Sequence, residues 1–270
     1  TLIDQSEVNS AKRGVRGSWT RGEFLGVEGL ELRTGVDVVE DTTDQRLALT
    51  RRVWVPPMEY TSTAPYAQLS WDIGNVTLSG GVRREDGELS VDTFVTTYYN
   101  NRVTVEGGTL DYTATLPNFG AVYRFTDTLS AYASYSEGFS LPNVGIPLRN
   151  INTPGQSVDG ILDLQAIIVE NKEIGFNWRA GDVSLSGSYY RSESEFGVSL
   201  STDPVTGDFV MNRGPTKIDG IELTGSYAFN DDLKVNAMYS HIVGKTWFTK
   251  GGPLDKRMGA NDVSPDKIGA

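Results

Sequence analysis

Apolar and polar residues alternate one by one along most of the chain, and turns join the alternating segments. Before the turn near Asp231, for example, Ile221 and Leu223 alternate with Glu222 and Thr224. A repeat of two residues places the apolar side chains of a segment on one side of an extended backbone, whereas a helix needs a repeat of about 3.6. The pattern therefore predicts antiparallel β-hairpins with one apolar face.

The turns follow a second rhythm, in which short and long connections alternate. Short turns recur about every fifty residues, near Gly26, Ile73, Asp127, Gly181 and Asp231. Long connections rich in glycine, proline and aspartate lie between them, at 41–64, 86–108, 140–167, 195–215 and 246–265. Short turns at one rim and long loops at the other are typical of a transmembrane β-barrel. We expect an all-β, antiparallel up-and-down barrel with ten strands of about 10–14 residues and a truncated eleventh beginning near Lys267.

A soluble antiparallel sandwich is the alternative, because its strands also alternate between apolar and polar residues. The predicted strands, however, are about twice the usual five or six residues. Aromatic residues also cluster near the strand ends, at Trp19, Trp71, Phe125, Trp178, Phe229 and Tyr239. Girdles of aromatic residues at the two membrane interfaces explain this placement, so the sequence favours the membrane barrel.

Composition narrows the possible functions. The chain has 270 residues, a formal net charge of −11, no cysteine and one histidine. An acidic total disfavours nucleic acid as a partner, and the lack of cysteine excludes zinc-thiolate sites, iron–sulfur clusters and thiol nucleophiles. The mean hydropathy of −0.30 does not exclude a membrane barrel, because only every second residue of its strands meets lipid.

One segment indicates a family. Residues 129–143, Leu-Ser-Ala-Tyr-Ala-Ser-Tyr-Ser-Glu-Gly-Phe-Ser-Leu-Pro-Asn, resemble a mid-barrel strand and its following loop in TonB-dependent outer-membrane receptors, particularly ferric-siderophore receptors. Further segments that resemble this family occur in the family's order, at 63–70, 80–85, 170–176, 220–227 and 263–267. The resemblance extends from about residue 8 to the end. Val169 departs from the pattern, since the family commonly has proline there.

The resemblance implies a barrel of about 22 strands around an N-terminal plug domain. Residues 1–270 would then be an internal part of one barrel domain, with about 10–11 strands, and the plug and the C-terminal strands would lie outside this chain. We expect such a piece to form an open, curved sheet with two edges.

The resemblance also implies the function of an active-transport receptor in the outer membrane of a Gram-negative bacterium. Such a receptor binds a ferric siderophore at the extracellular rim and imports it when the inner-membrane TonB complex acts on the plug. Lipid and lipopolysaccharide surround the barrel, no cofactor is expected, and iron is present only within the transported chelate. The alternatives are a receptor for another bulky ligand (cobalamin, haem or a glycan) and a passive porin.

Ligand contacts are expected in the long loops, because loops on a rigid scaffold carry recognition. Trp54 follows Arg51 and Arg52, and an aromatic ring beside guanidinium groups can contact an anionic chelate by stacking and charge-assisted hydrogen bonds. The alternatives are that this loop packs on its neighbours, or that its arginines bind lipopolysaccharide phosphates. The predicted ligand-binding residues are Arg51, Arg52, Trp54, Tyr60, Tyr98, Tyr99, Arg102, Lys245, Trp247 and Arg257. The loop that contains Arg102 is expected to include a small hairpin.

A second group of charged residues is placed inward by the alternation. These residues would contact the plug or line a wet channel, and mutual pairing along the wall is an equally good interpretation. They are Arg83, Glu137, Glu173, Arg179 and Glu222.

Enzymatic and metal-binding functions are weakly indicated. Ten-stranded outer-membrane proteases depend on a histidine with acidic partners, and His241, the one histidine, falls on the lipid-facing side by alternation. The acidic clusters at 41–44 and 85–88 lack the spacing of a calcium-binding loop. We therefore predict neither a catalytic residue nor a metal site.

Overall fold

The computed structural model describes residues 4–97, 100–142, 144–160, 166–202, 209–230, 232–248, 251–260 and 262–269. Ten long strands form one antiparallel sheet: β1 (Ser6–Arg21), β2 (Leu30–Leu47), β3 (Val53–Ile73), β4 (Val76–Val91), β7 (Gly108–Arg124), β8 (Leu129–Ser140), β9 (Ile167–Ala180), β10 (Val183–Thr202), β11 (Phe209–Ala228) and β12 (Lys234–Thr246). Each pairs with the next strand along the chain. In the part of the chain that the structure describes, no helix is long and apolar enough to cross a membrane.

Four short strands complete the description. β5 (Phe94–Val95) and β6 (Thr104–Val105) form a separate hairpin, which confirms the one predicted around Arg102. β13 (Lys256–Arg257) and β14 (Lys267–Gly269) both pair with β12. The predicted strand at Lys267 is therefore confirmed. Within the described residues β1 pairs with β2 alone, so the sheet is open.

All five short turns lie where the sequence predicts them, between successive strands at one rim. The long connections differ from the prediction at two places. The connection predicted at 41–64 is wrong, because β2 and β3 continue until residues 48–52 alone separate them. Most of 195–215 is also strand. Threonine- and valine-rich segments extend these ladders, so the strands reach 21 residues in β3.

The sheet has two chemically distinct faces. The outer face carries the alternating apolar residues, which remain solvent-accessible: Ile174 is 60% exposed and Phe119 is 58% exposed. The inner face carries the polar residues opposite them, such as Asp37 and Glu173. The single α-helix of the described residues, α1 (Gly145–Arg149), contacts both β3 and β11. Since β4, β7, β8, β9 and β10 lie between those two strands, the inner face is concave.

Two long connections fold into this concavity. Residues 92–97, 100–107, 141–142 and 144–160, which we call the loop body, surround a core in which Leu148 and Val105 are fully buried. The wall contributes Leu89, Val91 and Tyr112 to the same core. Among the described residues, this hydrophobic core therefore lies between the loops and the inner face.

Backbone and side-chain hydrogen bonds hold the two connections together. The amide of Val158 donates to the carbonyl of Glu106 at 3.0 Å. Asn100 Nδ2 donates to the carbonyl of Arg149 at 2.5 Å. Because buried apolar contacts and these bonds join the two segments, the loop body is one packed unit.

Several tyrosine rings of the inner face lie over a glycine of the neighbouring strand. Tyr190 is directly paired with Gly220, and Tyr132 with Gly175. A Cβ added at Gly220 would collide with the ring of Tyr190, and one added at Gly175 with the ring of Tyr132. These glycines are thus required by the rings packed above them.

We expect Gly220→Ala to destabilise the wall by about 1–3 kcal/mol, because Tyr190 has to leave its position. Gly225→Ala on the same strand is the matched control, since the nearest atom to its new Cβ would lie 3.7 Å away, in Leu185. Thermal unfolding of the full-length protein in detergent measures both variants. Equal thermal unfolding midpoints for the two variants would show that the position of the Tyr190 ring does not depend on Gly220.

Candidate ligand-binding trough

A buried carboxylate organises the polar inner face. Asp37 on β2 is 5% exposed and accepts from two arginines: Arg16 Nε at 2.6 Å and Arg83 Nη1 at 2.6 Å. Arg83 Nε also donates to Glu85 at 3.1 Å. We call Arg16, Asp37, Arg83 and Glu85 the inner network. It joins β1, β2 and β4, because the tilt and pleat of the strands bring side chains of the same face together.

Further along the inner face, hydrogen bonds connect β8, β9 and β10. Tyr132 Oη donates to Glu173 Oε1 at 2.6 Å, and Ser192 Oγ donates to Asn171 Oδ1 at 2.6 Å. Together with the inner network, these bonds favour the interpretation that inward polar groups pair along the wall. Glu173 and Arg83 keep their predicted inward positions.

We call the concave inner face of the sheet the trough, and the loop body adds a cation to it beside an aromatic residue of β3. Trp54 lies on the inner side of β3, and the guanidinium carbon of Arg149 lies 5.6 Å from the centroid of its ring. Below them, Tyr60 packs edge to face on Tyr112 with ring centroids 6.4 Å apart. A planar cation beside an indole offers both stacking area and donors to an anionic ligand.

The other predicted residues of the 48–52 turn face away from the trough. Arg51 Nη1 bonds to Glu7 Oε2 at 2.5 Å, and Arg52 is exposed in the same turn. The turn is anchored by Asp4, which accepts from Thr50 Oγ1 at 2.7 Å and from the amide of Leu49 at 2.8 Å. These hydrogen bonds lower the pKa of Asp4. The turn therefore packs on the start of β1. This agrees with the alternative interpretation in which the loop packs on its neighbours.

The remaining predicted ligand contacts are scattered. Arg102 is exposed in the turn of the β5–β6 hairpin, with φ of 50°. Trp247 packs over Gly214. Tyr98 and Tyr99 lie outside the described residues. The two described residues, Arg102 and Trp247, thus lie on different segments of the chain from Trp54, and Trp247 lies over an inner-face glycine.

Two predicted ligand residues lie on the opposite face of the sheet. Lys245 is paired with Lys217 on one side and with Arg257 on the other. Lys217 shares the outer face with Ile221, four residues further along β11. The register of β12 therefore turns Lys245 and Arg257 outward, away from Trp54, and their predicted role in ligand binding stays a prediction.

Glu137 is likewise misplaced by the sequence prediction. It pairs with Glu170, on the same face as Ile174 and opposite to Glu173. Its carboxylate accepts from Tyr135 Oη at 2.6 Å on that outer face. The alternation of β8 places its odd-numbered residues outward, so Glu137 follows Tyr135. Arg179 and Glu222 are on the inner face as predicted, since the strand register around each of them is regular.

The sequence prediction missed Arg16, Asp37, Tyr132 and Arg149. Alternation alone could have placed Asp37 inward, and its pairing opposite Arg16 requires the register of β1 and β2. No sequence signal places Arg149 beside Trp54, because Trp54 belongs to β3 and Arg149 to α1, in distant parts of the chain.

His241 has an acidic partner, on the outer face. Its Nδ1 lies 2.8 Å from Asp266 Oδ1, and both side chains are substantially exposed. Among the described residues, no cluster of three or more histidines and acidic residues is arranged to hold a metal ion. The inner network, the hydroxyl-rich wall and the Trp54–Arg149 pair are suited to noncovalent binding and passage of a polar ligand.

An antiparallel meander with a concave polar face and an exposed apolar face is part of the wall of a transmembrane β-barrel. Residues 4–268 match the family described as TonB dependent receptor-like, beta-barrel. The chain belongs to this family.

Relatives and solved structures agree with this assignment. The chain is 27% identical over 186 residues to the rhizobactin receptor of Rhizobium meliloti (strain 1021), covering 62% of this chain and 25% of that protein. It is 24% identical over 174 residues to the ferric aerobactin receptor of Klebsiella pneumoniae, covering 55% and 23%. The structure of the copper transporter OprC aligns with a TM-score of 0.70 at 17% identity, covering 89% of this chain and 39% of that one. The chain spans about a quarter of the length of these two curated relatives.

Proposed function

We propose that the whole protein is an outer-membrane receptor of a Gram-negative bacterium that binds and imports a ferric siderophore, energised by TonB. The observation that carries this proposal is the family match over residues 4–268. The similarity to a ferric aerobactin receptor and a rhizobactin receptor supports iron-siderophore uptake. On this proposal the protein is a transporter without catalytic chemistry, and iron enters only within its chelate.

The domain arrangement is part of the same proposal. Residues 1–270 would form part of one barrel wall, and a plug domain and further strands would come from other parts of the protein. Arg83 and Glu173 are held by wall partners, and they would present a fixed polar surface to the plug. Tyr132 keeps the Glu173 carboxylate in place at 2.6 Å.

The upper trough is the proposed ligand site. Trp54 and Arg149 would contact the chelate, because a stacking surface and a bidentate cation suit the carboxylate and hydroxamate oxygens of a ferric siderophore. The loop body positions Arg149 through the hydrogen bond from Asn100. Binding would therefore depend on the packing of two connections, and on no single loop.

Uptake by cells tests the proposal. The full-length gene is expressed in a host that lacks its own siderophore receptors, and radioactive iron is supplied as ferric aerobactin. We expect saturable uptake that is lost when TonB is deleted, because a gated barrel needs an external energy source. Uptake that persists without TonB would indicate a passive porin.

Parallel cultures receive other probes. Other ferric siderophores, haem, cobalamin and a copper salt are offered to the same cells. Uptake of haem or cobalamin, together with no uptake of any ferric siderophore, would show that the protein is a receptor for a different ligand from the one proposed. Failure of every probe in folded, surface-exposed protein would contradict the transport function.

A further inference from the structure

An open cavity lies on the inner face at the short-turn rim of the wall. Its volume is about 910 Å³, and two short turns contribute to it, through Asn75 and through residues 126–128. We call it the rim pocket, and its inner-face lining includes Arg124, Ser130, Asn177, Arg179, Ser186 and Thr224.

The rim pocket is far from the proposed ligand site in the upper trough. Trp54 lies at one end of the 21-residue strand β3, and Asn75 lies just beyond the other end. An extended strand of this length spans about 70 Å. A ligand of siderophore size therefore cannot contact Trp54 and the rim pocket at once.

Hydroxyl groups form the floor of the rim pocket and bond mainly to one another. Ser186 Oγ lies 2.5 Å from Thr224 Oγ1, and Ser184 Oγ lies 2.6 Å from Ser226 Oγ. Both pairs join directly opposite positions of β10 and β11. Each pair uses one of its two O–H groups internally, so the other remains a donor toward the lumen.

The two arginines of the rim pocket have little compensation within the wall. Among the described residues, Arg179 has no carboxylate within ion-pair distance, and Arg124 reaches only Asp72, at 3.9 Å. Thr77 Oγ1 already donates to the Asp72 carboxylate. Asp127 lines the same cavity and lies within ion-pair distance of neither arginine. Both guanidinium groups are thus available to an anion from outside this segment.

The arginines of the inner network are different, because the wall itself neutralises them. Arg16 and Arg83 each lie 2.6 Å from Asp37, and Arg83 also lies 3.1 Å from Glu85. By contrast, Arg124 and Arg179 are both exposed toward the lumen. The availability of donors is therefore a property of the rim pocket, and not of inward arginines in general.

The size and chemistry of the rim pocket suit an anionic ligand rich in oxygen. Pockets for small molecules have volumes of about 300–1,000 Å³. Guanidinium groups bind carboxylate oxygens through paired donors. Short turns of transmembrane barrels lie on the periplasmic side, so an imported chelate passes this rim as it leaves. Exposed donors bind weakly, and a site on a conduction path has to release its ligand.

We propose that the rim pocket is a second, weak binding site for the anionic oxygens of the ferric chelate, on its way out of the barrel. Arg124 and Arg179 would attract the chelate, and Asn177 and the hydroxyl groups would solvate it. This inference rests on the proposed transport function and adds an exit site to it. Carboxylates of the plug are another source of the same chemistry, and the experiment separates the two.

Uptake by cells that express the full-length receptor tests the inference, with radioactive ferric aerobactin as the first probe and other ferric siderophores after it. The surface affinity is measured in cells without TonB, and the maximal uptake rate in cells with TonB. We expect Arg124→Gln with Arg179→Gln to lower the maximal rate about fourfold, since each exposed charge contact contributes about a twofold factor. The surface affinity should change less than about twofold, because the upper trough sets it.

Arg33→Gln is the matched control. Arg33 is an exposed arginine of the inner face near the same rim, on β2, and it lies outside the rim pocket. Its removal should leave both the rate and the affinity unchanged. Arg124→Lys with Arg179→Lys keeps both charges and should keep at least about half of the rate.

Three results would overturn the inference. One is an unchanged maximal rate in the Gln double variant, and another is equal slowing by Arg33→Gln. The third is sensitivity of the double variant to vancomycin without any chelate present, which would show that the arginines hold the plug. If the unmodified receptor imports no ferric siderophore, the transport proposal fails and the inference fails with it. Normal uptake by the double variant refutes the inference alone.

Discussion

Asp37→Asn should lower the free energy of local opening of β1 and β2, the first two strands of the wall, by about 2 kcal/mol. The substitution keeps the size of the side chain and removes the charge that holds Arg16 and Arg83. Removing one partner of a buried ion pair leaves an uncompensated charge and costs about 3–5 kcal/mol. The expected value is smaller because the side chain of Arg16 is 73% exposed, and water compensates such a group in part.

Hydrogen exchange followed by mass spectrometry on the full-length protein measures this loss locally. A change of about 2 kcal/mol raises the exchange rates of amides in β1 and β2 by about thirtyfold. Glu40→Gln is the control, because it removes a carboxylate from the same two strands on the exposed outer face, 2.9 Å from Arg13. That surface pair contributes under about 1 kcal/mol. Equal exchange in the two variants would show that the inner network does not stabilise the wall.

The architecture was accessible from the sequence because strand alternation is a local signal. Each residue's face depends on its own strand, so Arg83, Glu173 and Glu222 were placed correctly. Turn positions were also local, as at Gly74, which adopts a φ of 57° in the two-residue turn between β3 and β4.

Pairings and loop contacts were less accessible because they depend on distant parts of the chain. Asp37 meets Arg83 only after three strands have assembled in register. Arg149 meets Trp54 because the core around Leu148 holds α1 against β3, and the apolar character of Leu148 does not indicate which strand it packs on. Glu137 was assigned to the wrong face because it lies near the end of β8, where the strand merges with a loop and alternation is hard to follow.

The central claim is that the ligand binds in the inner trough. Titration calorimetry of the purified full-length receptor, with the ferric chelate that supports uptake in cells, tests this claim most directly. Arg149→Ala removes the cation over the indole, and Trp54→Ala removes the stacking surface.

Each variant should bind about tenfold to a hundredfold more weakly, because a charge-assisted hydrogen bond or a desolvated cation–π contact contributes about 1.5–3 kcal/mol. The control is the double variant Lys245→Gln and Arg257→Gln, which changes cations on the outer face and should bind like the unmodified receptor. Full affinity in both trough variants together with weakened binding in the outer-face control would contradict the account.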